Sequence, residues 1–144
     1  MLTKYFVGDV AFDVPSSWKV HEADSTIEIV EESRGGAMHL SFLTWAQAGT
    51  PKDTYACLLV ENLASNNGLV SDGGISTSFG VSEGRAVGQF RPVVSQPETP
   101  LHWLVASVVW QDRAVRVTYC TDILSEESLT QARCIFDSIH LEEV

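Results

Sequence analysis

The side chains able to do chemistry are few and scattered. Cys57, Cys120 and Cys134 each fall inside a regular hydrophobic pattern, with Cys57 and Cys134 in helical periodicity and Cys120 in strand alternation. A nucleophilic thiol or serine needs a sharp turn and a nearby base, and no Gly-x-Ser-x-Gly occurs in the chain. The three cysteines are therefore expected to be packed thiols, and their odd number and wide spacing do not make a disulfide framework. Metal binding needs clustered donors, whereas His21, His39, His102 and His140 stand singly and no Cys-x-x-Cys is present, so no metal or other cofactor is expected. The one pairing the strands allow is His39 with His102, as neighbours across a sheet. The pairs Glu31-Glu32, Glu126-Glu127 and Glu142-Glu143 are adjacent in sequence, so their carboxylates diverge and suit solvation or a helix end better than acid/base work. Gly80, Gly84 and Gly88 lie in a turn-and-strand context, and no phosphate loop of the Gly-x-x-x-x-Gly-Lys type exists.

Aromatic and acidic residues carry more information than the candidate nucleophiles. Tryptophan supplies large contact areas and is enriched where proteins bind one another. Trp18 is expected to pack beneath the first helix, and Trp103 to face the core. Trp45 closes an apolar run just before Ala46-Gln47-Ala48-Gly49, and Trp110 adjoins the turn Gln111-Asp112-Arg113. Each is read as a core residue or as a partly exposed binding anchor. Glu28, Glu31 and Glu32 form the densest acidic stretch outside the helix ends, and are the first candidates for steering a basic partner.

These residues sit in a chain of 144 residues with 44% hydrophobic and 19% charged content, the balance of a folded globular chain of one domain spanning 1–144. Nine Lys and Arg against 19 Asp and Glu leave a net charge of -10, which repels nucleic-acid backbones and anionic lipid surfaces. The same field attracts a basic protein, and also serves solubility alone. The apolar start breaks at Gly8-Asp9, too early for a secretory signal, and no run approaches a membrane span. A cytoplasmic location is expected.

Several elements must position these groups. Val10–Val14 alternates and ends at Pro15, reading as a strand. Thr26–Glu32 and Ala37–Ala46 form two strands joined through Arg34-Gly35-Gly36 as a hairpin. Thr50, Pro51 and Asp53 mark a helix start, with Tyr55, Leu58, Leu59 and Leu63 on one face and Asn66-Asn67-Gly68 as the stop. Two modest strands flank a turn at Ser82-Glu83-Gly84. Pro92, Pro97 and Pro100 punctuate a surface loop. Leu101–Trp110 and Ala114–Thr121 are strands, and Ser125-Glu126-Glu127 opens a helix with Leu129, Ala132, Phe136 and Ile139 on its core stripe. Hairpin connections throughout predict an α+β fold, a mainly antiparallel β-sheet flanked by α-helices. The two longest apolar strands, from Ala37 and from Leu101, are expected at a sheet centre covered on both faces.

Phe12-Asp13-Val14-Pro15 followed by Trp18, a hairpin, a mid-chain helix, an antiparallel run and a closing helix ending Phe136-Asp137-Ser138-Ile139 together resemble the Mog1/PsbP-like fold, in particular the small bacterial proteins of the DUF1795 type. The resemblance spans most of the chain. It implies protein binding rather than catalysis, since members of this group bind a small GTPase, serve photosystem assembly or escort secreted interbacterial toxins. The expectation is a bacterial, non-enzymatic protein-binding module, an immunity protein or an adaptor/chaperone for a basic toxin or secreted effector, contacting it through Trp45, Trp110, Glu28, Glu31 and Glu32. The alternatives are a small-ligand-binding or enzymatic domain with a pocket near His39 and His102, and an obligate homo-oligomer using Trp45 or Trp110, of which a homodimer is the simplest form.

Overall fold

The computed structural model describes residues 1–23, 26–32, 35–44, 51–80, 83–94, 100–123 and 125–142. Strands β1 (Leu2–Val7), β2 (Val10–Pro15), β3 (Trp18–Ala23), β4 (Thr26–Glu31) and β5 (Ala37–Thr44) lead into helix α1 (Lys52–Asn66). Strands β6 (Leu69–Phe79), β7 (Gly84–Pro92), β8 (His102–Val109) and β9 (Arg113–Thr121) follow, then helix α2 (Glu126–Ser138) and the short β10 (His140–Leu141). The α+β class and the antiparallel pairing expected from the sequence are both present. A seven-stranded antiparallel sheet has the order β3-β4-β5-β9-β8-β7-β6, and a three-stranded sheet has the order β1-β2-β10.

The strands at Leu2–Val7, Trp18–Ala23 and His140–Leu141 are not among those expected from the sequence. Leu2–Val7 forms an edge strand paired to β2, and Trp18–Ala23 forms the outer edge beside β4. Leu69–Phe79, rich in Gly and Ser, is the first of the two strands expected around the Ser82-Glu83-Gly84 turn; it forms the opposite edge, and its pairing with β7 shifts register between Ser71 and Ile75. Gly73 and Gly74 take φ of 115° and 85° there, a conformation side chains resist, so the glycines that weaken the strand pattern also permit its bulge. Helix α1 begins one residue later than predicted, with Pro51 at the cap position; Thr50 lies outside the described residues. Its buried face is Ala56, Leu59, Val60, Leu63 and Ala64, while Leu58 is exposed.

The large sheet has two covers on opposite sides. Alternation in β8 sends Leu104, Ala106 and Val108 to one face, where they join Met38, Leu40, Val115, Val117 and Tyr119 under α2 and the small sheet. Val105, Ser107 and Val109 point to the other face, where α1 packs over β6, β7 and β8. Strand β8 is consequently buried on both sides, as predicted, whereas β5 is buried on one side only.

Trp18 packs beneath α2 rather than α1. Its indole Nε1 donates to Gln131 Oε1 at 2.9 Å, and its ring lies 5.6 Å from Tyr119. Arg85 closes the other end of α2, donating to the carbonyls of Phe136 and Ile139 and lying over the Phe136 ring. A cation there complements the negative helix end.

Candidate functional site

The cluster beneath α1 reaches Ala114 of β9 and Leu43 of β5 at one end; beyond them, the same face of β3, β4, β5 and β9 is only partly buried or exposed. Cross-strand register orders the side chains on this bare half into rows. Lys19, Val30, Ala37 and Cys120 form one row, His21, Glu28, His39 and Thr118 the next, and Ala23, Thr26, Ser41 and Arg116 the third. The odd-numbered partners in β4 and the even-numbered ones in β5, namely Ile27, Ile29, Met38 and Leu40, point the other way and are buried. This half-sheet is packed into the core from beneath and presents a mixed aliphatic and polar surface.

In the central row His39 Nε2 and Glu28 Oε2 are 3.0 Å apart, with the two side chains 40% and 43% exposed. His21 is exposed and directly opposite Glu28 on the other flank. Neither Lys19 nor Arg116 forms an ion pair among the described residues, although most cations elsewhere do: Lys4 with Glu142, Arg91 with Asp72, Arg113 with Asp9 and Asp112, Arg133 with Asp137.

A second feature is a groove of about 380 Å³ between α2 and β7, lined by Gln89, Leu104, Leu129, Arg133 and Asp137 among others. It runs on into shallower hollows along β6, where Arg133 again forms a wall. The groove is open to solvent.

The predicted contact residues separate. Glu28 lies on the bare face and Glu32 is exposed at the end of the hairpin. Glu31 does not: it is 1% exposed, and Ser128 Oγ lies 2.8 and 2.9 Å from its two carboxylate oxygens at the first turn of α2. Strand alternation explains the split, since Glu31 shares the parity of Ile27 and Ile29 and is carried inward with them. The acidic stretch is thus not a continuous patch. Trp110 is 3% exposed and belongs to the core beneath α2 and the small sheet, which removes it as a surface anchor; the turn it adjoins is exposed but its own ring folds inward. Trp45 lies outside the described residues. Trp103 is half-buried against the α1 cluster.

His39 and His102 do not converge. His39 pairs with Thr118 and His102 with Thr121, three residues further along β9, so an odd offset places the two imidazoles on opposite faces. Cys57 and Cys120 are partly buried, whereas Cys134, expected to be packed, is exposed because it lies on the solvent side of α2. Burial, and then Asp122, hold the Cys120 thiol above its ordinary range, and burial with Glu61 does the same for Cys57. Both are poor nucleophiles at neutral pH. Burial, reinforced by the charge of Glu31, likewise pushes the Tyr119 hydroxyl upward. Among the described residues no helix is long and apolar enough to cross a membrane.

Lys19, His21, Ser41, Arg116 and Thr118 are surface residues that sequence reasoning does not single out. The signal for His21 and Lys19 is available in Trp18-Lys19-Val20-His21, an alternation as clear as that of the strand before it. For Arg116 and Thr118 the alternation is plain in the sequence, but which face lies bare depends on where α1 comes to rest.

No family model matches the chain, and no curated protein matches it in sequence. Among solved structures it is similar to the solution structure of cyanobacterial PsbP (CyanoP) from Synechocystis sp. PCC 6803, with a TM-score of 0.67 at 11% identity over 97% of this chain and 92% of that one. At that identity the likeness is one of architecture, and what it establishes is that this chain has the PsbP-like α+β fold.

Proposed function

We propose that the chain is a non-enzymatic protein-binding module that docks its partner on the bare half of the large sheet, over β3, β4, β5 and β9. The observation that carries this reading is the one-sided cover: a half-face, apolar and polar in mixture, whose other side is packed into the core. Such a surface suits a macromolecule better than a small ligand, which favours an enclosed concavity. Within that reading the role is that of a bacterial cytoplasmic immunity protein or toxin adaptor of the DUF1795 type, and the net charge of -10 favours encounter with a basic partner. The charge that steers is then spread over the molecule, with Glu28 and Glu32 contributing and Glu31 serving the core.

The test compares affinity capture from native lysate by the wild type, by the face variant Ser41→Arg/Thr118→Arg and by the groove variant Arg133→Glu, each confirmed folded. A stoichiometric protein retained by the wild type and the groove variant but lost by the face variant supports the proposal. Loss with the groove variant alone moves the contact to the α2–β7 groove and overturns it.

A further inference from the structure

We propose that β6 is a pairing edge for a second copy of this chain, joining two large sheets across a two-fold axis at Thr77. Strand β6 closes one side of the seven-stranded sheet and pairs only with β7. Among the described residues none makes a backbone hydrogen bond to the outward side of residues 75–79. A free strand edge is a template for another strand, and proteins guard such edges with charge, proline, bulges or short length. The two edges of this sheet are guarded unequally. Strand β3, at the far side, is six residues long and carries Lys19, His21 and Glu22. Strand β6 is eleven residues long and has no proline, and its one charge, Asp72, is held by Arg91 of β7 at 2.8 Å. The glycine bulge guards only its first half: from Ile75 to Phe79 the register with β7 is regular, and Ser76, Thr77 and Ser78 are exposed.

The residue order of that stretch selects a copy of itself as the occupant. In an antiparallel pair centred on Thr77, Thr77 meets Thr77, Ser76 meets Ser78 and Ile75 meets Phe79. Hydroxyl residues then fall opposite hydroxyl residues and apolar ones opposite apolar ones, the cross-strand combinations that stabilise a sheet. Each copy carries a net charge of -10, and positions 73–79 carry none of it, so two copies meet where neither presents a charge. The arrangement is isologous and closes on itself, which leaves no further edge open at β6.

Strand β6 lies at the other side of the sheet from the proposed docking face, so this inference does not rest on that reading. A dimer formed here keeps both docking faces available.

The experiment measures mass by light scattering and sedimentation over a range of concentrations. It compares the wild type with Ser76→Lys/Ser78→Lys and with Ser76→Lys/Ser78→Glu, each confirmed folded. The wild type should approach twice the chain mass. The double lysine variant sets like charges opposite one another across the axis and should weaken the dimer at least ~10-fold. The lysine–glutamate variant sets opposite charges there and should restore it, which a merely structural effect of two substitutions would not do. In a Cys57→Ser/Cys134→Ser background, Thr77→Cys meets its own copy and should close an intermolecular disulfide on oxidation, whereas Ser76→Cys, which meets Ser78, should not. A wild type that stays monomeric at ~1 mM overturns the proposal, as does a dimer indifferent to the double lysine variant. A different protein captured by β6 in place of a second copy overturns it as well. Failure here is separable from failure of the docking proposal, because Ser41→Arg/Thr118→Arg should leave the dimer mass unchanged.

Discussion

At the scale of single residues, the fate of an acidic side chain is decided by strand parity. Glu28 and Glu31 are three apart on β4, so one faces water and the other the core, although nothing in their local composition tells them apart. Glu31→Lys should accordingly act on stability and not on recognition: it buries a cation in place of a carboxylate that accepts from Ser128. A loss of about 3 kcal/mol or more is expected in urea unfolding, while Glu32→Lys should leave the midpoint almost unmoved. The titrating groups of the interior give a second test. Tyr119 and Cys120 have folded-state pKa values raised above their ordinary ones, so their neutral forms are the ones the fold favours. Their contribution is complete below the unfolded value and is lost as pH rises through the folded one. Stability should therefore decline above about pH 9, first through the thiol and then through the phenol. Cys120→Ala should reduce the earlier part of that decline, to which Cys57 also contributes, and Tyr119→Phe the later part, as read from unfolding midpoints across alkaline pH. Asp9 has the opposite sign: its hydrogen bonds to Arg113 lower its pKa, so the stability it contributes fades as pH falls through the acid range.

Between elements, close approach is recorded by glycine. A Cβ at Gly84 would collide with the backbone of Lys52 and Asp53, where the start of α1 rests on β7. Backbone cannot swing aside as a side chain can, so Gly84→Ala should lift the helix and cost about 2–3 kcal/mol in an equilibrium unfolding experiment. Gly36 stands against the Tyr119 ring, with the hydroxyl 2.5 Å from where its Cβ would be. There the ring has to shift, and Gly36→Ala should perturb the aromatic environment of Trp18 and Tyr119 in near-ultraviolet circular dichroism. If either alanine is accommodated without effect, the packing of these elements is looser than described.

For the whole molecule, the small sheet ties the two ends of the described chain together. Strand β10 pairs with β2, Glu142 donates its backbone N–H to the Asp9 carbonyl, and Lys4 reaches the Glu142 carboxylate at 2.9 Å. The Asp9–Arg113 pair then joins the β1–β2 turn to the large sheet. Truncation after Ile139 removes these strand hydrogen bonds and should cost about 2–4 kcal/mol, with the large sheet and α1 remaining folded. Amide exchange resolved along the chain would show the loss confined to β1 and β2; a global collapse would mean that the small sheet is not a separate cover.

Features that depend on neighbours along the chain are readable from the residues alone. Alternation at Val10–Val14, Thr26–Glu31 and Ala114–Thr121, the cap at Ser125 and the Gly35-Gly36 hairpin are legible because turn chemistry and strand period are local. Their order is enough for the fold class. Leu69–Phe79 is legible only as a modest strand before its turn, because the full length of a glycine-rich edge strand is made by its pairing to β7 and not by its composition. The fold likewise decided which surface is left bare. Where α1 lands over β6 to β8 fixes which half of the sheet stays open, and the register of three strands puts His21, Glu28 and His39 in one row although they are well apart in the chain. Long-range packing sets those relations, and sequence spacing does not encode them. For the same reason Trp110 looks like a surface residue beside its turn, and only the closing of α2 and the small sheet over it makes it core.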